Sequence, residues 1–294
     1  MRITPTQRRL LHCCGSFLAL TGIFFVGFRL HSYSLKLDLS RMTPVVWVFI
    51  GVFSIIYGAA NLLLAKAWWH LLQYFSLPIS HPESVRIFGI SQLAKYVPGN
   101  IFHLAGRQAL GMAAGLTPGA LAKSTVWELG LLAVAGAQFS WLILPMIEAY
   151  FHQFVSVFLL LGSVSLTGIV LHGRFGRQIA HAFLWQLFFM IVSGAVFTAL
   201  LILISGGEGL TVWHCLTIGG AYIVAWLVGL VTPGAPAGVG VREFILLYML
   251  NGVVGEVDLL MAVLLGRLVT VVGDLLFFAC AHAVPAQILK IRED

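Results

Sequence analysis

Seven stretches of about twenty or more mostly apolar residues follow one another along this chain, and they constrain its fold more than any other feature. They cover 10–30, 44–65, 119–143, 152–172, 181–204, 211–231 and 258–284. A helix needs about 20 apolar residues to cross the hydrocarbon core of a bilayer. Charged residues make up 10% of the chain, whereas soluble domains carry about a quarter. We therefore predict an all-α polytopic membrane protein, with a single integral membrane domain over 1–294.

Two shorter apolar segments, 98–116 and 236–252, are each introduced by proline and glycine. Backbone that leaves the helical conformation at membrane depth is tolerated only inside protein or against a water-filled cavity. We interpret both segments as short re-entrant helices, which gives about 7–8 transmembrane helices plus two broken ones. A kinked structural helix is the alternative for each.

The two broken segments share a pattern that suggests an internal repeat. Arg107 follows Pro98 by nine positions, and Arg242 follows Pro233 by nine. A glycine closes each segment, at 115 and at 252. Paired segments of this kind in two halves of a chain are the best sequence indication of a transporter's substrate site. A helix that restarts after such a break presents free N–H groups and the positive end of its dipole, which suit an anion.

Ionisable residues embedded in apolar sequence are the main candidates for a site. Each costs roughly 2.5–3.5 kcal/mol at mid-membrane unless it pairs or reaches water. The six most deeply embedded are Arg107, Glu128, Arg242, Glu243, Arg267 and Asp274. Three cations and three anions could neutralise one another as a structural network. With Lys95 and Lys123 nearby, the alternative is a cationic site that suits a phosphate group.

Helical spacing places polar side chains on shared faces, which predicts a sealed hydrophilic cavity. The three expected stripes are Asn100, His103 and Arg107 with Gly111; Ser124 with Glu128; and Arg267, Thr270 and Asp274. Gly111 is expected to leave room for something bulky. His103 is interpreted as a hydrogen-bonding partner, with a proton shuttle as the alternative.

Charge and motif content narrow the function classes. The net charge of +6 comes from residues in short connections, so we assign it to topology and lipid headgroups and expect no nucleic acid. Basic residues near the N-terminus and in 172–181 predict that the N-terminus is cytoplasmic. The four cysteines and ten histidines form no metal-binding spacing, so no metal and no cofactor are expected. No nucleotide-binding or hydrolase motif is found.

The motifs "SQLAKYVPGNIFHLAGRQALG" and "PGAPAGVGVRE", together with Glu128 and Arg267, resemble the flippase-like membrane domain of lysylphosphatidylglycerol synthases. Nearly the whole chain takes part, although family members often have Pro-Gly-Gly where this chain has Pro-Gly-Ala. The resemblance implies a multi-pass protein of the cell inner membrane that moves lipids between leaflets. The positions that match the family's motif residues are Arg107, Glu128, Arg242, Glu243 and Arg267. The soluble aminoacyl-transferase domain has no counterpart in this sequence, so lysine transfer to lipid is not expected.

The functional hypothesis is a lipid translocase for a phospholipid or a polyprenyl-phosphate-linked lipid. The residues expected to bind the substrate are Lys95, Asn100, His103, Arg107, Glu128, Arg242, Glu243, Arg267 and Asp274. The cations would hold the headgroup, and the carboxylates would pair with them and gate. Two alternatives stay open: a non-transporting membrane partner of an envelope glycosyltransferase or lipid synthase, and a headgroup enzyme with Glu128 or His103 as acid or base.

Overall fold

The computed structural model describes residues 43–97, 101–148, 151–232 and 240–285. The α-helices in these ranges are Pro44–Tyr74 (α1), His81–Gln92 (α2), Phe102–Ala113 (α3), Pro118–Gln138 (α4), Leu144–Ile147 (α5), Gln153–Phe175 (α6), Arg177–Ser205 (α7), Val212–Val231 (α8), Val241–Met249 (α9) and Glu256–Ala283 (α10). Two 3₁₀ turns, Leu93–Tyr96 and Phe139–Leu142, extend α2 and α4.

Six helices in the described ranges are long and apolar enough to cross a membrane: α1, α4 with its 3₁₀ extension, α6, α7, α8 and α10. They match six of the seven predicted spans, and the seventh, 10–30, lies outside the described residues. The surface of α6 shows the environment that these helices need, because Phe158 is 76% exposed and Ile169 70%. Contiguous apolar surface of this kind is stable in lipid, not in water. The chain is therefore a helical, multi-pass membrane protein.

The two predicted short segments form the two short helices α3 and α9, of 12 and 9 residues. The closing glycines have positive φ angles, +94° at Gly115 and +80° at Gly252, a conformation that glycine adopts without steric cost. At the end of α3, the N–H of Leu116 donates to the carbonyl of Gly111 (3.0 Å) and that of Gly115 to Met112 (3.0 Å). The sequence thus predicted both helices and their ends. Whether they re-enter the membrane stays a prediction, and the Pro-Gly pairs lie outside the described residues.

Helix α1 continues nine residues beyond its predicted end at 65, through a stretch that contains polar and aromatic residues. Trp68 is 1% exposed, and its Nε1 donates to Ser124 Oγ (3.3 Å) on α4. Lys66 lies with its Nζ 3.9 Å from the centre of the Trp185 ring on α7. The polar side chains therefore find partners within the bundle, which lets the helix continue.

The interior is built around α1, which packs most extensively against α7 and α10. The helices α2, α3, α4, α8 and α9 complete the enclosure around one end of this central group. Most buried apolar side chains join a single core cluster. The charged residues that the sequence marked out lie on the inner faces of these helices.

Candidate functional site

A cavity of about 90 Å³ lies inside the bundle, walled by residues of α1, α2, α3, α4, α7, α8, α9 and α10. Six of the nine predicted site residues line it: Lys95, His103, Arg107, Glu128, Arg242 and Arg267. Glu243 and Asp274 stand behind the wall, each in contact with a lining cation. Asn100 lies outside the described residues. Since one water needs about 10–15 Å³, the cavity has room for several waters or a small polar group.

The first ion pair joins the two motif residues of the first half. Arg107 on α3 donates through Nη1 to both carboxylate oxygens of Glu128 on α4, at 2.7 and 2.6 Å. Arg107 is 2% exposed and Glu128 5%. The guanidinium also lies over the Phe88 ring, with Cζ 3.9 Å from the ring centre. This cation–π contact and the ion pair together stabilise a charge that burial would otherwise disfavour.

The second ion pair joins α9 to α10. Arg267 donates through Nε to Glu243 Oε1 (2.6 Å), while Glu243 Oε2 accepts the N–H of Gly240 (2.7 Å) at the start of α9. Burial alone would raise the pKa of the Glu243 carboxyl, but the Arg267 guanidinium and these hydrogen bonds hold it below its usual value. The N-terminal N–H group that we expected to be open for an anion is therefore occupied by this side chain.

The third ion pair fixes Lys95 at the end of α2. Its Nζ lies 2.7 Å from Asp274 Oδ2, and Asp274 is completely buried. The same carboxylate accepts hydrogen bonds from the Tyr96 hydroxyl and from Asn61 Nδ2 (3.2 Å). A buried carboxylate with this many donors is a structural anchor that holds the lysine at the cavity wall.

Arg242 differs from the other three cations. It is 6% exposed and lines the cavity, yet within the described ranges no carboxylate oxygen approaches its guanidinium within 4.0 Å. Its contact is with the face of Tyr222, whose ring centre lies 4.1 Å from Cζ. With four cations, Lys95, Arg107, Arg242 and Arg267, and three carboxylates, the site keeps one positive charge in excess.

Two residues of the cavity wall each have a buried nitrogen without a hydrogen-bond partner: Nε of Arg107 and Nδ1 of His103. Burial and the nearby charges of Arg107 and Lys95 lower the pKa of His103, which lies on α3 outside the six candidate spans, to about 3. The imidazole is therefore neutral at neutral pH, which favours the hydrogen-bonding interpretation of this residue. Buried polar groups normally have partners, so these two nitrogens and the Arg242 guanidinium are the polar groups of the cavity wall that the described residues leave unsatisfied.

Two expectations need correction. Lys123 is exposed and does not line the cavity. The excess positive charge of the site is therefore one, where counting both Lys95 and Lys123 had given two, and it comes from Arg242, which pairs with no carboxylate in the described ranges. Gly111 does not leave space for a bulky group, because a Cβ built on it would lie 3.0 Å from both methyl groups of Leu121. The glycine serves the close packing of α3 against α4.

Several residues of the site were not singled out from the sequence. Asn61 and Gln92 link Asp274 to α2, with Gln92 Nε2 donating to Asn61 Oδ1 (3.3 Å). An asparagine inside an apolar span is the signal that could have identified the first of these. Tyr57 and Tyr222 also face the charged cluster, and nothing in the pattern separates them from the many other aromatic residues.

No protein-family model, curated protein or solved structure matches this chain.

Proposed function

We propose that this protein is a flippase-like lipid translocase that binds the phosphate-bearing headgroup of a lipid in the central cavity. The observation that carries the proposal is that three residues of the cavity wall have unmet polar groups: Arg242 has no carboxylate partner among the described residues, and Arg107 and His103 each have one buried ring or guanidinium nitrogen without a hydrogen-bond partner. Cationic and N–H donors around a buried cavity are the groups that recognise phosphate oxygens.

The three ion pairs suit a gating role in this proposal. Each joins a cavity cation to a carboxylate on another structural element: Arg107 to Glu128, Arg267 to Glu243 and Lys95 to Asp274. A phosphate that enters beside Arg242 competes with these carboxylates for the same guanidinium and ammonium groups. Exchange of carboxylate for phosphate would loosen the contacts of α3 and α9 with the neighbouring spans, which is what passage of a headgroup requires.

Cavity size supports a division of the lipid between protein and membrane. A volume of about 90 Å³ admits a phosphate or another small polar group but not an acyl or polyprenyl chain. The apolar chains would therefore stay in the bilayer while the headgroup crosses. We place the protein in the cell inner membrane with its N-terminus in the cytoplasm, on the motif resemblance and on the basic residues described above. The re-entrant arrangement of α3 and α9 belongs to the same proposal.

Leaflet exchange in proteoliposomes tests this function. The purified chain is reconstituted with a panel of lipids that differ in headgroup and carry the label on an acyl chain, and a membrane-impermeant quencher reports the fraction that has moved from the inner leaflet. Loss of a charge-assisted hydrogen bond costs about 1.5–3 kcal/mol, so we expect Arg242→Gln to slow the exchange of a phosphate-bearing lipid about tenfold or more.

Lys123→Gln is the matched control, because it removes one positive charge from an exposed position outside the cavity. Its exchange rate should equal that of the unmodified protein. If no phosphate-bearing lipid exchanges, the translocase is excluded and a non-transporting partner of an envelope enzyme becomes the better interpretation. A chemically altered lipid would instead identify a headgroup enzyme. Equal effects of both substitutions would show that the cavity is not the site.

A further inference from the structure

A second basic pocket lies away from the central cavity, where the end of α1 meets the start of α7. It measures about 400 Å³, and its walls are formed by Lys66, Trp69, His70, Arg177, His181, Leu184, Trp185 and Phe188. None of these residues lines the central cavity, so the pocket plays no part in the function proposed above.

The charge of this pocket is one-sided. Within the described ranges, neither Lys66 nor Arg177 has a carboxylate oxygen within 4.0 Å, and no acidic residue lines the pocket. His70 and His181 stand between them, with ring centres 5.0 Å apart. A hydrogen bond from His70 Nδ1 to Gln178 Oε1 (2.6 Å) fixes the first of these rings. Two cations and two imidazoles thus face one space without an anion.

The position of Lys66 is built into the fold and is not a feature of a mobile surface chain. Its Nζ lies 3.9 Å from the centre of the Trp185 ring, and the side chain is half-buried beside the buried His70. A cation held over an indole is fixed in position by the ring, and an ammonium has three N–H groups, so those not directed at the ring remain available to a ligand. Trp69 and Trp185 are also the residue type that collects at the depth of lipid headgroups.

An apolar track leaves the pocket along the outside of α7. Leu184, Phe188 and Ile191 follow at helical spacing and are 38%, 51% and 45% exposed. Ile191 then forms part of the wall of an apolar groove of about 560 Å³ between α6, α7 and α8. The basic pocket and the track together have the two-part chemistry of an anionic phospholipid, with a phosphate at the end of a span and acyl chains along its outer face.

We propose that this pocket is a binding site for an anionic phospholipid, distinct from the central cavity, with the headgroup phosphate held by Lys66 and Arg177 and one acyl chain lying along α7. The bound lipid is a resident of one leaflet that fixes the α1–α7 junction. A soluble phosphate would use the same cations but would have no use for the apolar track, so the two sources can be separated by experiment.

The test measures lipid binding to the full chain in detergent by native mass spectrometry, with phosphatidylglycerol and phosphatidylcholine as the two probes. We expect tighter binding of phosphatidylglycerol. A cation near a membrane surface contributes about 1 kcal/mol to anionic-lipid binding, so Lys66→Gln with Arg177→Gln should weaken it roughly 30-fold. The charge-preserving pair Lys66→Arg with Arg177→Lys should restore most of the affinity, which separates loss of charge from failure to fold.

The matched control is Arg174→Gln with Lys123→Gln, because both residues are exposed and neither lines the pocket. Its affinity for phosphatidylglycerol should change less than about twofold. Equal weakening in the two double variants would overturn the proposal in favour of general attraction. Inorganic phosphate that displaces phosphatidylglycerol at millimolar concentration would overturn the lipid assignment. Arg242→Gln in the central cavity should leave binding of this lipid in place.

Discussion

Arg107 carries a positive charge at a position that is almost completely buried. A guanidinium that is 2% exposed inside an apolar bundle would lose several kcal/mol of solvation without compensation. The Glu128 carboxylate and the Phe88 ring supply that compensation. The pair therefore has two separable roles, since it neutralises a buried charge and also holds Arg107, whose Nε has no hydrogen-bond partner, in the cavity wall.

Substitutions at this pair should separate stability from function. Glu128→Gln leaves the Arg107 charge buried with a neutral partner, and breaking a buried pair costs about 3–5 kcal/mol. Replacing both residues by apolar ones of similar volume, Arg107→Met with Glu128→Leu, removes the uncompensated charge. We expect the double variant to regain most of the lost stability, measured by thermal unfolding in detergent, while lipid exchange stays abolished.

The comparison of the single and double variants separates charge compensation from packing geometry. Lys123→Gln, which removes a cation from an exposed position on α4, serves as a control and should change stability by less than about 1 kcal/mol. A double variant as unstable as Glu128→Gln alone would mean that the pair contributes by packing geometry and not by charge compensation.

The sequence predicted which residues are charged and buried, but not how they pair. Arg242 and Glu243 are adjacent in sequence, which suggests mutual neutralisation. On a helix, neighbouring residues point in directions about 100° apart, so Glu243 reaches Arg267 while Arg242 reaches the Tyr222 ring. Because Glu243 stands next to Arg242 in the sequence, the sequence did not show that Arg242 is the cation that gives the site its excess charge.

At the scale of helices, the site depends on an unusually close crossing of α1 and α10. A Cβ built on Gly58 would lie 2.8 Å from the carbonyl oxygen of Gly273, and one built on Gly273 would lie 2.8 Å from that of Ser54. Small residues at helix crossings allow this approach in membrane proteins. Directly beside the crossing, Asn61 on α1 contacts Asp274 on α10, which in turn holds Lys95 at the cavity.

Widening this crossing should disturb both stability and site. Gly273→Ala forces the two backbones apart, and overpacking of this kind costs about 1–3 kcal/mol. The shift also carries Asp274 away from Asn61 and Lys95. We expect a lower unfolding temperature together with slower lipid exchange. Gly51→Ala is the control, because Gly51 also lies on α1 but nothing lies within 4 Å of the added Cβ. It should leave the unfolding temperature and the exchange rate unchanged. Identical behaviour of the two variants would contradict a close crossing.

The elements that proline, glycine and apolar periodicity define were the ones predicted best. A glycine with positive φ follows each short helix, two residues after the first and three after the second, and the predicted spans from 44 onward have counterparts in the structure. The end of α1 could not be predicted, because Lys66 and His70 break the apolar pattern. Their partners, Trp185 and Gln178, lie more than a hundred positions along the chain, and tertiary contacts of that range leave no local signal.

For the molecule as a whole, the two halves show the same arrangement with the charges reversed. In the first half an arginine on the short helix pairs with a glutamate on the following span, Arg107 with Glu128. In the second half a glutamate on the short helix pairs with an arginine on the following span, Glu243 with Arg267. The predicted repeat matched Arg107 with Arg242, whereas the residue of the second short helix that forms the ion pair with the next span is Glu243. This arrangement fits a pair of gates around one cavity.

The orientation of the bundle in its membrane gives the last prediction. Lys66 over Trp185 and His70 beside Gln178 show that the end of α1 meets the start of α7, while Tyr57 lies against Phe189 deeper in the bundle. The two helices are therefore antiparallel, and Thr43 and Arg177 lie at opposite ends. The basic residues of 172–181 favour the cytoplasm for the second of these.

Single cysteines at these two positions report the orientation. The four native cysteines, Cys13, Cys14, Cys215 and Cys280, are first replaced by serine or alanine, and Thr43→Cys or Arg177→Cys is then introduced. Intact cells treated with a membrane-impermeant maleimide should label the cysteine at 43, whereas the one at 177 should react only after the cells are opened. Labelling at 177 alone would invert the orientation, because the basic residues would then lie outside. Labelling of both in intact cells would contradict the antiparallel span pair itself, since helices of 31 and 29 residues that cross a bilayer side by side cannot place these two ends on one face.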